Sequence, residues 1–283
     1  MNNLSLNTFI ALLYREILEN KNLFIAAPAV IAVTLFVFTA WVVSFAPPEE
    51  LATGIEYLAI IFDGLSPIEM APIFMVPAIP FMMVLYICGL IYLLNALYQD
   101  RKDLSVLFWQ SMPVSNAKTV LSKVVTIGVV APLFFVAILL VFYLVGVVLL
   151  TLMGLSYDVQ VAGLGYMFMA AVVSLALVYL SAFVTVLWLL PSVGWLLLFS
   201  AFAKRTPILW AGGVFILIGF LEDFIFGSQY LANWVESRSN PSQYIIYDFG
   251  SVWERLFSYD MLFGVLVGAI LLVGATYMRR FID

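Results

Sequence analysis

The stretch Ala117–Leu150, "AKTVLSKVVTIGVVAPLFFVAILLVFYLVGVVLL", decides the class of fold. Its only charged residues, Lys118 and Lys123, lie near its start. Crossing a hydrocarbon layer of about 30 Å takes about 20 apolar residues. At about 1.5 Å per residue the stretch is on the order of 50 Å long. It therefore predicts a membrane-spanning helix whose lysine end projects into water.

The whole composition agrees with this prediction. The 283 residues are 65% hydrophobic and 10% charged, with a mean hydropathy of +1.11, whereas soluble domains carry about 25% charged residues. The chain is therefore an integral membrane protein. It has no histidine and one cysteine, Cys88, which excludes an internal disulfide and a Cys/His zinc site.

The N-terminal residues predict an amphipathic helix over about 5–20 that lies in the membrane interface. Arg15 and Glu19 form an i,i+4 pair. Apolar residues recur at three- and four-residue steps on another face, namely Leu6, Phe9, Ile10, Leu13 and Ile17. The charges of this region argue against a signal peptide.

Hydropathy predicts six spans and an all-α fold. Pro77 and Pro80 predict kinks in the second span, and Ser115 is a plausible N-cap of the third. The segment 191–205 has two interpretations, a kinked continuation of the fourth span or an apolar helix at the interface. The predicted spans are about 23–46, 72–97, 117–150, 166–190, 207–227 and 257–278.

The basic residues orient these spans. Six crossings put both termini on one side, and ten of the twelve Lys and Arg residues fall there; only Arg238 and Arg255 fall opposite. Twelve of the seventeen acidic residues fall on the opposite side. The positive-inside rule then predicts that both termini lie in the cytoplasm. A seventh crossing at 191–203 would move Arg279 and Arg280 outside, so we reject it.

The loop between the second and third spans contains the most unusual sequence, "YQDRKDLSVLFWQSMPVS", Tyr98–Ser115. From Asp100 to about Ser111 it predicts three helical turns with Leu104, Leu107 and Phe108 on one face. This helix either rests on lipid or docks in a groove of a cytoplasmic partner, and periodicity leaves both open. In either case we expect the charges from Asp100 to Asp103 to be its solvated end.

Three segments resemble the ABC-2 type permease family, the membrane subunits of bacterial ABC transporters. They are "LYQDRKDLSVLFWQSMPVSNAKTVLSK", "PSVGWLLLFSAFAKRTPILWAGG" and the C-terminal "YMRRFID". The resemblance implies an interfacial N-terminal helix, six spans, short extracellular helices within about 222–256 and a cytoplasmic coupling helix at 100–111. It also implies a dimer of permeases, most simply a homodimer, on a dimer of ATPases. The residues that contact the ATPase would be Asp100, Arg101, Lys102, Asp103, Leu104, Leu107, Phe108 and Trp109.

The energy source favours the same function. The chain has no G-x-x-x-x-G-K-[ST] motif, so we expect it not to be an enzyme and to bind no cofactor itself. ATP and Mg would be bound by a separate cytoplasmic ATPase, which requires a docking surface on this chain. The other expected partners are a second permease copy and the lipid bilayer, and we expect no nucleic acid.

Other candidate sites are weaker. Gly264 and Gly268 form a G-x-x-x-G in the sixth span, which is more often ordinary helix packing than a dimer seam. Glu222 and Asp223 more often mark a solvated helix end than a catalytic or cation-binding pair. Every charged residue is expected near a span end, which argues against coupling to protons or sodium.

Three functions are compatible with the sequence. The first is an ATP-driven exporter permease for an amphipathic or hydrophobic substrate such as a lipid, peptide or drug. The second is a self-contained carrier or channel. The third is a membrane scaffold or a sensor that transports nothing.

Overall fold

The computed structural model of the protein describes residues 2–103 and 114–280. Within those ranges the α-helices α1 to α14, in chain order, are Asn2–Glu19, Ala27–Phe45, Pro48–Phe62, Pro67–Phe74, Ile79–Ala96, Tyr98–Lys102, Asn116–Val125, Ala131–Ser156, Leu164–Trp188, Leu190–Phe202, Pro207–Phe226, Tyr230–Ser239, Phe249–Leu256 and Tyr259–Met278. Two π-helical turns, Asn22–Ala26 and Thr126–Val130, precede α2 and α8.

In the described part of the chain, six stretches are long and apolar enough to cross a bilayer, as the sequence predicted. In order, spans one to six are Asn22–Phe45, Pro67–Lys102, Asn116–Ser156, Leu164–Trp188, Pro207–Phe226 and Tyr259–Met278. Span two is interrupted by a 3-10 turn at Val76–Ala78, because Pro77 lacks a backbone N–H. Span three starts as predicted, with the Ser115 side chain accepting from the Lys118 N–H at 3.3 Å.

The ambiguous segment after span four is a separate helix, α10, which begins after a break at Leu189. Most of α10 is buried in the helical bundle. It packs against span six (α14) at two glycines. A Cβ on Gly194 would lie 2.9 Å from the Gly268 carbonyl oxygen, and a Cβ on Gly268 would lie 2.7 Å from the Leu190 carbonyl carbon. Glycine at both positions lets the two backbones touch.

Spans two, three and four build most of the core. Phe81 and Leu85 of span two pack with Phe135 and Leu139 of span three and Val178 of span four. Span five contributes little to this core and leaves nearly its whole length exposed. In a bilayer such an apolar surface faces lipid or another protein.

The N-terminal helix α1 carries the predicted ion pair, with Arg15 Nε 2.6 Å from Glu19 Oε1. Leu6 and Ile10 of its predicted apolar face are exposed in the protein alone, as an interfacial helix requires. Its other face is buried against the bundle through Leu12 and Glu16.

Candidate functional site

The described part of the predicted coupling helix is its first turn, α6. It ends at Lys102, and Lys102 and Asp103 are exposed. Gln99 donates to the Asp103 carboxylate at 2.8 Å. The four predicted apolar anchors, Leu104, Leu107, Phe108 and Trp109, lie outside the described residues.

Asp100 does not belong to a solvated helix end, and that expectation is wrong. Its side chain is buried, and its Oδ1 accepts a hydrogen bond from Arg15 Nη2 at 2.7 Å. Its Oδ2 lies 3.8 Å from Lys123 Nζ and 3.6 Å from Arg279 Nη2. A buried carboxylate is stable only beside such cations, because leaving water costs several kcal/mol per ion. The start of the loop is therefore tied to α1, span three and the end of span six.

Lys123 corrects a second expectation. We predicted that it projects into water, but its side chain is 2% exposed. Its Nζ donates to Glu16 Oε1 at 2.7 Å, and Glu16 is itself 1% exposed. The hydroxyl of Tyr92, from span two, donates to the other Glu16 oxygen at 2.8 Å. We call Arg15, Glu16, Asp100, Lys123 and Arg279 the ion cluster.

The two arginines of the ion cluster differ electrostatically. Burial lowers the pKa of Arg279, and the charge of Asp100 opposes that shift. Burial also acts to lower the pKa of Arg15, but Glu19 and Asp100 outweigh it, so the net shift is upward. Both guanidinium groups stay charged at neutral pH.

The two π-helical turns lie next to the ion cluster. Phe24, in the first turn, packs edge-on against the Tyr92 ring with centroids 5.3 Å apart. The second turn begins three residues after Lys123 in span three, and its Thr126 is buried. Such π-turns are rare and concentrate at functional sites. Here they place irregular backbone in spans one and three at the level of the buried charges.

A second set of contacts fastens the loop to α10. Arg101 donates to the last carbonyl groups of α10, those of Ala201 and, at 2.9 Å, Phe202. Ser200 accepts from the N–H groups of Leu97 and Tyr98, both at 3.0 Å. The first turn of the loop is therefore fastened to α10 as well as to the ion cluster.

The segment between spans five and six, residues 227–258, forms the other polar region; we call it the connecting segment. It begins with a capped helix, because Glu222 accepts from the N–H of Tyr230 at 2.7 Å and of Leu231 at 3.0 Å. Glu222 thus marks the start of a short helix, α12, rather than a catalytic pair.

Arg238, near the end of α12, is 3% exposed. Its Nη1 donates to the Trp188 carbonyl at 2.7 Å, and its Nη2 donates to the Asp260 carbonyl. The guanidinium carbon lies 4.4 Å from the Trp188 ring centroid and 4.7 Å from that of Trp234. Burial lowers the pKa of Arg238, and the charge of Asp260 partly offsets that shift. The connecting segment is therefore fixed to spans four and six by one buried cation.

Gly264 and Gly268 both make contacts within one chain. A Cβ on Gly264 would lie 2.8 Å from Arg238 Cζ, so the glycine provides the space for the guanidinium. Gly268 faces Leu190, as described above for α10. Span six thus uses one glycine for the connecting segment and the other for α10.

Arg255 lies near the start of span six and also approaches a residue of span two. Arg255 of α13 lies 4.9 Å from the Trp188 ring and interacts electrostatically with Tyr86, which is in the middle of α5. The connecting segment, not a span, supplies this charge. Sequence reasoning on single spans missed it because the arginine is distant in sequence from the helix it meets.

Sequence reasoning also missed Glu16, Tyr92 and Trp188. A usable signal existed for Glu16, which stands four residues after Leu12 and therefore on the same helical face. For Tyr92 and Trp188 the sequence offers no signal beyond an aromatic residue in an apolar helix.

Comparison with protein-family models, with curated proteins and with solved structures finds no match to this chain.

Proposed function

We propose that the chain is the membrane subunit of an ATP-driven exporter of the ABC-2 permease type. The observation that supports this function best is the burial of Asp100 at the first turn of the proposed docking loop. Asp100 lies within 4 Å of cations from α1, span three and the end of span six. A loop that only rests on lipid has no need for such a connection.

In this proposal residues 100–111 dock on a separate cytoplasmic ATPase that binds ATP and Mg. Closure of the ATPase dimer pulls the loop, and the ion cluster passes the movement to α1, span three and span six. Arg101 and Ser200 pass it to α10 in the same way. Access to a pathway at the interface of two permease copies then changes. The resemblance of the loop sequence and the six-span fold support this assignment.

The test uses two kinds of variant. Loop variants replace Leu104, Leu107 and Phe108 by Asp, and a cluster variant replaces Asp100 by Asn. We expect the loop variants to lose co-purification with the ATPase encoded beside this gene. We expect Asp100→Asn to keep the complex but to lose most of the substrate-stimulated ATPase activity.

The matched control is Glu19→Gln, which removes one carboxylate from the exposed face of α1. It should leave both complex and ATPase stimulation unchanged. If the loop variants keep both the complex and the ATPase stimulation, the docking role is contradicted. Unchanged stimulation in Asp100→Asn would remove the ion cluster from the mechanism.

A second candidate is a self-contained carrier, favoured by the buried Glu16, Asp100 and Lys123. Ionisable groups inside a helical bundle are a frequent feature of ion-coupled carriers. The purified chain reconstituted alone separates the two functions, since a carrier moves substrate without the ATPase. A scaffold or sensor would show neither flux nor ATPase stimulation.

For the substrate we propose an amphipathic or hydrophobic molecule, such as a lipid, peptide or drug. The exposed surfaces of the spans are almost entirely apolar, and the connecting segment is too short for a domain that captures a polymer.

A further inference from the structure

Arg238 and Arg255, the two basic residues predicted on the opposite side of the membrane from the other ten, both lie beside the ring of Trp188. Arg238 Cζ and Arg255 Cζ lie 4.4 and 4.9 Å from the centroid of Trp188. Cation–π contacts explain the attraction of each arginine to the ring, but they do not remove the repulsion between two cations. The placement of two cations beside one ring therefore needs an explanation beyond cation–π attraction.

No carboxylate among the described residues compensates them directly, since none has an oxygen within 4.0 Å of either guanidinium. Asp260 acts on Arg238 from a greater distance and is exposed. Burial lowers the pKa of both arginines, which reflects the cost of holding their charge away from water. A buried cation usually has an acidic partner.

The unsatisfied polar groups at this place are all potential donors. In the described part of the chain, Arg238 Nε is buried without a hydrogen-bond partner, and the buried Tyr86 hydroxyl lies beside the hydroxyl of Thr185. Arg255 donates to the carbonyl and side-chain oxygen of Gln243, and a guanidinium has five N–H groups in all. Hydrogen-bond donors at this place therefore remain available to a ligand. Because two cations lie beside them, an anionic oxygen is the acceptor that they would bind most strongly.

The place is reachable and partly apolar. Arg255, Gln243 and Tyr244 are partly exposed, whereas Arg238 is covered. The Tyr86 ring lies 5.0 Å from the Tyr244 ring. Met83, three residues before Tyr86 in α5, is 61% exposed, and Ile87, the next residue after Tyr86, is 55% exposed. An amphipathic molecule with its anionic group at Arg255 could thus place its apolar part against exposed apolar side chains of α5.

We infer that Arg255, together with Tyr86, binds the anionic group of an amphipathic substrate, while the ring of Trp188 holds the Arg255 guanidinium in place. The group is a phosphate or a carboxylate carried on an apolar body. Calling this ligand a substrate rests on the proposed function. The inference narrows the proposed substrates from amphipathic molecules in general to anionic amphipathic molecules. Arg238 is a positioning residue here, because its two terminal nitrogens are already bound to backbone carbonyls.

Direct binding tests the inference without the ATPase. The full chain is placed in nanodiscs of phosphatidylcholine, and the binding of radiolabelled dodecyl phosphate is measured after subtraction of its partition into empty discs. Dodecylphosphocholine has the same chain and phosphate but no net charge, and inorganic phosphate has the charge without the chain. We expect dodecyl phosphate to bind at least about tenfold more tightly than dodecylphosphocholine, whose choline cation already neutralises the phosphate, and at least about tenfold more tightly than inorganic phosphate, which has no chain to bury.

Arg255→Gln should weaken dodecyl phosphate binding about tenfold or more, and Arg255→Lys should weaken it less. Arg280→Gln, which removes an exposed arginine at the other end of the bundle, is the matched control and should change nothing. Equal binding by wild type and Arg255→Gln would overturn the inference. If dodecylphosphocholine binds as tightly as dodecyl phosphate, the ligand does not have to be anionic. If inorganic phosphate binds as tightly as dodecyl phosphate, the ligand does not have to be amphipathic.

Should Arg255→Gln fail to fold, Tyr86→Phe decides, because it removes one donor and keeps the ring. We expect binding about threefold to tenfold weaker in Tyr86→Phe, and unchanged binding would overturn the site. Failure of this assay leaves the ATPase test of the proposed function intact. Conversely, binding of dodecyl phosphate by a chain that never couples to an ATPase would assign the site to a carrier.

Discussion

The ion cluster and the Arg238 site bury positive charge in opposite ways. In the ion cluster Lys123 faces two carboxylates, one at 2.7 Å and one at 3.8 Å. At the other site Arg238 faces two backbone carbonyls and two indole rings. A lysine with two carboxylates in reach can change partner when an element moves, whereas an arginine held by backbone groups fixes the elements that it joins. We therefore expect the loop end of the bundle to move more readily than the connecting segment.

The largest effect should come from breaking the ion cluster with Lys123→Met. The variant leaves Glu16 buried with Tyr92 as its remaining hydrogen-bond donor among the contacts described above. Removing one partner of a buried ion pair costs about 3–5 kcal/mol. We expect the free energy of unfolding in detergent micelles to fall by that amount, measured by denaturant titration.

Two further variants control this result. Lys102→Met removes an exposed lysine and should stay within about 0.5 kcal/mol of the wild type. The double variant Lys123→Met with Glu16→Leu should recover much of the loss, because it leaves no unpaired buried charge. A Lys123→Met cost no larger than that of Lys102→Met would contradict the buried pairing.

The next effect tests the fixed site through Gly264→Ala. The new methyl group would lie 2.8 Å from Arg238 Cζ, so either span six or the guanidinium has to shift. Overpacking of this kind costs about 1–3 kcal/mol. We expect a lower free energy of unfolding and faster proteolysis within residues 227–258.

Span five supplies the matched control, Gly219→Ala, because nothing lies within 4 Å of a Cβ at that position. It should be neutral or stabilising by up to about 1 kcal/mol, the helix propensity gained by replacing glycine. Equal effects of the two substitutions would mean that Arg238 does not fill the space beside Gly264.

A smaller loss should follow from Arg238→Lys. An ammonium keeps the charge but lacks the planar fork that reaches the carbonyls of both Trp188 and Asp260. Losing one charge-assisted hydrogen bond costs about 1.5–3 kcal/mol, and the lysine recovers part of it. Protease cleavage of the connecting segment should accelerate, with Arg280→Lys as a control that leaves the rate unchanged.

The smallest effect belongs to the exposed pair on α1. Glu19 is 49% exposed, and its ion pair with Arg15 is of the surface kind. Glu19→Gln should cost less than about 0.5 kcal/mol. At 1 M salt, where the screening length is about 3 Å, the difference should disappear. A loss as large as that of Lys123→Met would erase the distinction between the buried and exposed carboxylates of one helix.

Three features of α1 and the loop between spans two and three show how far sequence reasoning reached. Helical spacing predicted the Arg15–Glu19 pair, because an i,i+4 contact depends only on local geometry. The Ser115 cap was predictable for the same reason. The burial of Asp100 was not, since its Arg15 partner is 85 residues away in sequence. A row of charges predicts solvent exposure unless distant partners are known.

The connecting segment shows the same limit. Its length and its two arginines were evident, and we expected short helices on the far side of the membrane. That Arg238 meets Trp188 and Gly264, and that Arg255 approaches Tyr86, depends on how spans two, four and six pack. No pattern within residues 227–258 encodes it.

The sequence by itself determined that this is an all-helical membrane protein with six spans. The solvent enforces this outcome, because a backbone in hydrocarbon must satisfy its own hydrogen bonds and each crossing needs about 20 apolar residues. Only the tertiary structure decided which charges are buried and what compensates them. Glu16 and Lys123 are 107 residues apart, and their attraction exists only after α1 and span three have packed.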